Sequence, residues 1–306
     1  MSDATLSLAQ GFPSIDETVW KSLVEQSLKG GAFDKKINRV AEDGFAIKGL
    51  YTTVEQDFAK LNFPQTSWTI LQEQHNLCGE DANQAILDDL ENGVNGLLLH
   101  VGDDVAALDK ALVSVMLDLV QLSIRAPENE TAVVEKLFSL AGQNQLTANQ
   151  IKLDVGADPI TVAAVSGQLG KGQETQIAEL VSLGEKLGSS SKLFNINGAA
   201  YHHAGATDGQ ELAAALSTAV AYLRAMEAQG VSLERAAGLI AFTFAVDSEF
   251  FASIAKLRAA RQLWSSVLSA CGVDVANCPM VITARSADRM FTRYDPWVNM
   301  LRGTAA

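Results

Sequence analysis

Two adjacent histidines after an apolar run are the first residues of this chain that could do chemistry. They lie in YHHAGA, residues 201–206, close behind LFNIN. Such imidazoles serve as metal ligands or as an acid–base pair. The spacing argues against a metal, because no His-x-x-x-His or His-x-Glu accompanies His202 and His203, and neighbours in an extended segment point to opposite faces. The plainer reading is a loop whose Tyr201, His202 and His203 cap the next helix or pack on a partner. A second candidate is Asp247, at the end of another apolar run. Its ordinary role, with Ser248 and Glu249, is a helix cap and an acidic first turn, leaving Lys256, Arg258 and Arg261 on an outer face. Third is RSADRMFTRYDPWVNMLR, where Arg285, Arg289, Arg293 and Arg302 interleave with Phe291, Tyr294 and Trp297. That set suits a phosphorylated ligand and a protein interface equally. The fourth, SWTILQEQ at residues 67–74, is unremarkable by residue type alone.

These segments need elements to position them. Short apolar runs at residues 96–101, 120–124, 151–155, 193–197, 240–246 and 280–285 have the character of strands buried on both faces. Helical stretches at 81–93, 105–117, 131–141, 175–187, 210–229 and 250–270 separate them. In the last, Phe250, Ile254, Leu257 and Trp264 repeat at helical spacing and predict the inner face. Alternating strands and helices imply a parallel sheet with right-handed crossovers, either doubly wound or a barrel. No Gly-rich phosphate loop follows any strand, which disfavours the nucleotide-binding doubly wound option. Residues 1–60 differ: Phe12 precedes a short helix carrying Trp20, Leu23 and Leu28, stopped by Gly30 and Gly31, and then come Phe33 and a mixed-charge run to GLYT. This predicts an arm with little core of its own, followed by one α/β domain over 61–306.

Composition removes several classes of function. A net charge of −13 repels nucleic acid, and no basic block offers a membrane-surface patch. Cys78, Cys271 and Cys278 form no CxxC pair, which fits a reducing cytoplasm. The start MSDATLSLAQGFPS lacks the pattern of a signal peptide, and the apolar runs are too short to span a bilayer.

Taken in order, NINGAAYHHAGATDGQELAAALSTAVAYLRAMEAQGVSLERAAG, FFASIAKLRAARQLW and RMFTRYDPWVNMLRG resemble the substrate-binding barrel of the methylmalonyl-CoA mutase family. The likeness runs from GLYT onward and is strongest over residues 195–302. It implies a (βα)8 TIM-type barrel, adenosylcobalamin chemistry that interconverts methylmalonyl-CoA and succinyl-CoA, and a separate cobalamin-binding domain. Bacterial members often pair a catalytic large chain with a silent small one, and SLKGGAFDKKINR leading to GLYT is more similar to the small chains.

Departures from the catalytic pattern point the same way. Against the family's PWTIRQYAGF, the run SWTILQEQ has Leu71 for the Arg and Glu73 for the Tyr. Against GYHMQEAGA, the run GAAYHHAGA has Ala199 and Ala200 at the Tyr-His pair. A substrate-contacting Gln of the family falls at Gly156. Methyl groups and a glycine cannot polarise a thioester carbonyl. Leu71, Glu73, Gly156, Ala199 and Ala200 are therefore expected to be vestigial, with no catalytic, cofactor or metal ligand in the chain. Tyr201, His202, His203, Arg285, Arg289 and Arg293 remain as possible ligand or interface residues. No DxHxxG segment is present, so adenosylcobalamin is expected in a partner, and six strands make about three-quarters of a barrel, either a fragment or a form completed by a partner. The expectation is a silent small subunit that pairs with a catalytic large subunit, or with itself when that is missing. The alternatives are a divergent mutase using His202 and His203, and an unrelated barrel enzyme such as an aldolase or hydrolase.

Overall fold

All six expected strands form, and they pair with their sequence neighbours. In the computed structural model, which describes residues 11, 15–52, 68–127, 129–168 and 172–306, the chain divides into two units, Met1–Lys60 and Leu61–Ala306. The larger holds one parallel sheet of seven strands: β1 (Leu71–Gln74), β2 (Gly96–His100), β3 (Gln121–Arg125), β4 (Lys152–Ala157), β5 (Lys192–Asn197), β6 (Ile240–Val246) and β7 (Val281–Ser286). Their order follows the sequence without reversal, which excludes a doubly wound sheet. The sheet curls into an incomplete barrel. Arg285 on β7 reaches Glu73 on β1, and Arg125 on β3 reaches Thr243 on β6, contacts that non-adjacent strands make only across a concave face.

One strand more than the six expected is present because β1 lies inside SWTILQEQ. It pairs with β2 from Leu71↔Gly96 to Gln74↔Leu99. Three of its four residues are polar, so it has no apolar run to betray it. Gly96 permits this pairing, since a Cβ there would sit 2.5 Å from Leu71 Cδ2.

The long helices fall at Glu130–Gln143, Gln173–Gly184, Asp208–Ala228 and Phe250–Ala270, close to expectation. The helix expected over 105–117 shortens to Ala107–Ala111, with Ser114 at a left-handed φ of 64° beyond it. Two short helices, Pro159–Ser166 and Leu233–Gly238, were not foreseen. The expected loop at YHHAGA is in fact the end of a helix, Gly198–His203. Ala199 and Ala200, strong helix formers, let the chain turn helical as it leaves β5, and Gly205 at φ 104° ends the turn.

Leu97, Leu99, Leu122, Ile124, Phe194 and Phe242 fill the core, with Trp264 edge-on to Phe242 and Tyr222 stacked on Phe194 at 4.0 Å. The helix 250–270 is rotated from its expected face. Ser253, Lys256, Ala260, Trp264 and Leu268 are buried, while Phe250, Phe251 and Ile254 are exposed. Lys256 turns inward because two carboxylates await it there, as described below.

In the smaller unit Asp16 caps the helix Glu17–Ser27 by accepting from the Val19 N–H at 2.8 Å, and Gly30 follows its end at φ 88°. Trp20 and Phe33 meet edge to face at 5.8 Å, ahead of a hairpin pairing Arg39–Val40 with Ala46–Ile47. None of this unit's described residues is buried, and Phe12 lies outside the described residues. No described helix is long and apolar enough to cross a membrane.

Candidate functional site

Polar residues interrupt the apolar strands at four places, and all four face the concave side of the sheet. Ser123, Asp154, Asn195 and Thr243 are buried on β3 to β6. The Asn195 amide donates to Asp154, and the Thr243 hydroxyl donates to Asn195 Oδ1 at 2.7 Å. Burial pushes the Asp154 carboxyl above its ordinary range, against the pull of Arg125 and Asn195.

Active sites of such barrels collect at the strand C-termini. Here that rim is occupied by the protein's own ion pairs. Glu73 Oε1 lies 2.7 Å from His100 Nε2 and 3.4 Å from Arg285 Nη1, while Arg285 Nη2 donates to Oε2 at 3.4 Å. Burial alone would raise the Glu73 carboxyl, but the His100 hydrogen bond and the Arg285 charge outweigh it and hold it below the usual value. Leu71, two residues earlier, shares the inward face by strand alternation.

Gly156 sits where β4 shifts register against β5, at φ 69°. A Cβ there would lie 2.1 Å from the Ile124 carbonyl and 2.2 Å from Arg125 Nη1, so the Arg125 guanidinium fills the space a longer side chain at 156 would need. Beside it a pocket of about 300 Å³ opens, lined by Arg125, Glu130, Asp158, Asn195 and Asn197 among others. Asp158 is committed to structure. It accepts from Tyr222 Oη at 2.7 Å, the Thr161 N–H at 3.2 Å and the Asn197 N–H at 2.8 Å, and burial raises its carboxyl above the ordinary value.

Ala199 is buried against Ala245 and Ala287 in a cluster of methyl groups, and Ala200 is half-buried beside it. Tyr201 is half-buried too. His202 is buried with neither ring nitrogen hydrogen-bonded, 3.7 Å from both Glu211 and Asp247. Burial first, and then the Lys256 charge, depress its basicity. His203 accepts from the Asp288 N–H at 3.3 Å, and its ring stands edge-on to that of His202 at 6.1 Å between centroids. His202, Asp208 and Glu211 have the makings of a cation site, and the Lys256 ammonium already fills that role at 2.7 Å from both carboxylates.

The arginines of the last segment do not converge. Arg285 turns in to Glu73, Arg289 donates to the His202 carbonyl at 3.3 Å, and Arg293 is exposed. The sequence reading missed His75, His100, Arg125, Asp154, Asn195 and Glu211. The available signal was the polar residue inside an otherwise apolar strand, as with Asp154 in IKLDV or Asn195 in LFNIN, which in a barrel marks the inward face.

Comparison with known proteins converges on one family. A family model described as methylmalonyl-CoA mutase matches residues 101–306. The methylmalonyl-CoA mutase small subunit of Streptomyces virginiae is 33% identical over 330 aligned positions, covering 100% of this chain and 53% of that protein. The small subunit of Propionibacterium freudenreichii subsp. shermanii is 31% identical, with 100% and 52% covered. A probable small subunit of Mycobacterium bovis is 32% identical, with 89% and 47% covered. The chain thus spans about half the length of these relatives.

Proposed function

Because the chain belongs to the methylmalonyl-CoA mutase family, we propose that it is part of a small subunit that does not itself turn over methylmalonyl-CoA and that supports a catalytic large subunit. The observation that carries this reading is the Glu73–Arg285 pair across the rim, because it sets a carboxylate and its counter-ion at the strand C-termini, where the active sites of such barrels lie. Gly156 with Arg125 behind it, and Ala199 inside the alanine cluster, support the same reading. Gly156 and the Ala199 methyl carry no donor to polarise a thioester carbonyl, and the Arg285 and Arg125 guanidiniums are engaged by Glu73, by the Ile124 carbonyl and by Thr243. The burial of His202 among Glu211, Asp247 and Lys256 speaks against an acid–base role that would replace the missing pair.

The family's reaction depends on adenosylcobalamin, which supplies the radical for the rearrangement. The residues described here do not fit that group. Ligating the cobalt of a corrin needs a ring nitrogen with room above it for the whole macrocycle, a far larger demand than that of a bare ion. His202 is buried, His203 is engaged by Asp288, and the His75 and His100 rings crowd each other at 4.3 Å between centroids, tilted by 33°, and turn toward Glu73. No second, doubly wound sheet exists among the described residues. We propose that the partner subunit holds the cofactor and that the assembly is cytoplasmic, the latter supported by the free thiols of Cys78, Cys271 and Cys278.

The test is turnover of methylmalonyl-CoA with adenosylcobalamin, by the purified chain alone and by the catalytic chain with and without it. The expected result is none alone, with the catalytic chain co-purifying and gaining stability or rate. Turnover by the chain alone, or failure to associate, would overturn the reading.

A further inference from the structure

We infer that Glu73, His75 and His100 form a binding site for a borderline divalent transition-metal ion such as Zn²⁺ or Co²⁺. The inference does not rest on the subunit reading.

Strand geometry brings the three together. Glu73 and His75 are two residues apart, so alternation puts both on one face as β1 runs out. The register pairs Gln74 with Leu99, and the next rung brings His75 level with His100 at the end of β2. Glu73 Oε1 lies 2.7 Å from His100 Nε2, and Glu73 Oε2 lies 3.8 Å from His75 Nε2. The three ligand atoms fall within 4.8 Å of one another. Metal–ligand bonds of about 2.0–2.2 Å at tetrahedral angles separate ligand atoms by roughly 3.3 Å, which the observed separations bracket. Small rotations of two side chains would close the site.

The donor set selects the ion. Two imidazoles and one carboxylate suit Zn²⁺, Co²⁺, Ni²⁺ or Fe²⁺ and disfavour Ca²⁺ and Mg²⁺, which prefer oxygen alone. The side chain of His75 is 66% exposed, so metal can enter from solvent and water can complete the shell. Arg285 is the opposing feature. Its Nη1 lies 3.4 Å from Glu73 Oε1 and its Nη2 lies 3.4 Å from Oε2, which orients the carboxylate but sets a positive charge beside the ion. The site is therefore of exchangeable rather than structural strength, and Arg285→Gln should tighten it. The second histidine–carboxylate cluster, around His202, differs in having Lys256 at its centre.

The test is titration of the untagged chain with Co²⁺, followed by visible d–d absorption, with Zn²⁺ as competitor. The expected result is one Co²⁺ per chain, without a thiolate charge-transfer band, displaced by Zn²⁺. Glu73→Gln, His75→Ala and His100→Ala should each weaken binding about tenfold or more, a loss of about 1.4 kcal/mol per decade. His203→Ala should leave it unchanged, and circular dichroism should show all variants folded. No Co²⁺ band, or one that survives both His75→Ala and His100→Ala, would overturn the inference.

Discussion

The Lys256 side chain is 1% exposed, between Asp208 and the fully buried Glu211. Burial works against its charge, but the two carboxylates outweigh that and raise its basicity. Glu211 also accepts from the Ala245 N–H at 2.8 Å, so it ties its helix to β6 through one oxygen and to the helix 250–270 through the other. Removing one partner of such a pair leaves an uncompensated charge in the core. Lys256→Met should cost about 3–5 kcal/mol in urea denaturation. Adding Glu211→Gln, which still accepts from Ala245, should recover most of that loss, and a double variant as unstable as the single one would contradict the pairing. His202 sits against the same group. Its basicity is depressed in the native state, so between its native and unfolded pKa values only the unfolded chain binds the proton. Stability should therefore fall as pH drops below the unfolded value of about 6.5. His202→Gln should flatten that slope between about pH 7 and 5, read as the urea midpoint against pH.

At the scale of the element, the helix Gly198–His203 shows how a departure at one position is locked in by its neighbours. Ala199 packs on Ala245 of β6 and on Ala287 just beyond β7, each of which is 1% exposed or less. The three methyl groups allow the helix to lie close to the strand ends. A phenol at position 199 has nowhere to go, so Ala199→Tyr should destabilise the barrel by about 1–3 kcal/mol without restoring any activity. An unchanged urea midpoint would show that the cluster can open. The same logic explains why this helix and β1 were not legible in the sequence. Each is short, and neither repeats at a helical or strand period long enough to register. The long helices and the buried strands did register, because their apolar runs cover a whole face. The helix 250–270 was located correctly but rotated wrongly, because periodicity counts Phe250 and Ile254 as core and cannot know that Glu211 will draw Lys256 inward.

At the scale of the molecule, the smaller unit presents apolar side chains without a described core of its own. Ile15, Leu23, Val40, Phe45 and Tyr51 are all at least half exposed. Apolar patches of this kind mark interfaces. Deleting residues 1–45 should therefore weaken co-purification with the catalytic chain while circular dichroism still reports a folded α/β core. Undiminished binding would exclude the arm as the interface.

What the sequence determined by itself was the parallel α/β architecture, whereas the barrel and the expectation that Leu71, Glu73, Gly156, Ala199 and Ala200 are vestigial came from the family resemblance. The alternation of strand and helix follows from local periodicity and residue type, which act over a few residues. The tertiary structure alone decided what surrounds those positions. Glu73 and Arg285 are 212 positions apart, and only the curl of the sheet makes them partners. Arg125 enters the space beside Gly156 because a register shift and a left-handed backbone vacate it. His75 meets His100 only once β1 has paired with β2. Electrostatic and steric contacts of this kind depend on distance in space, which closing the sheet sets and no local pattern encodes.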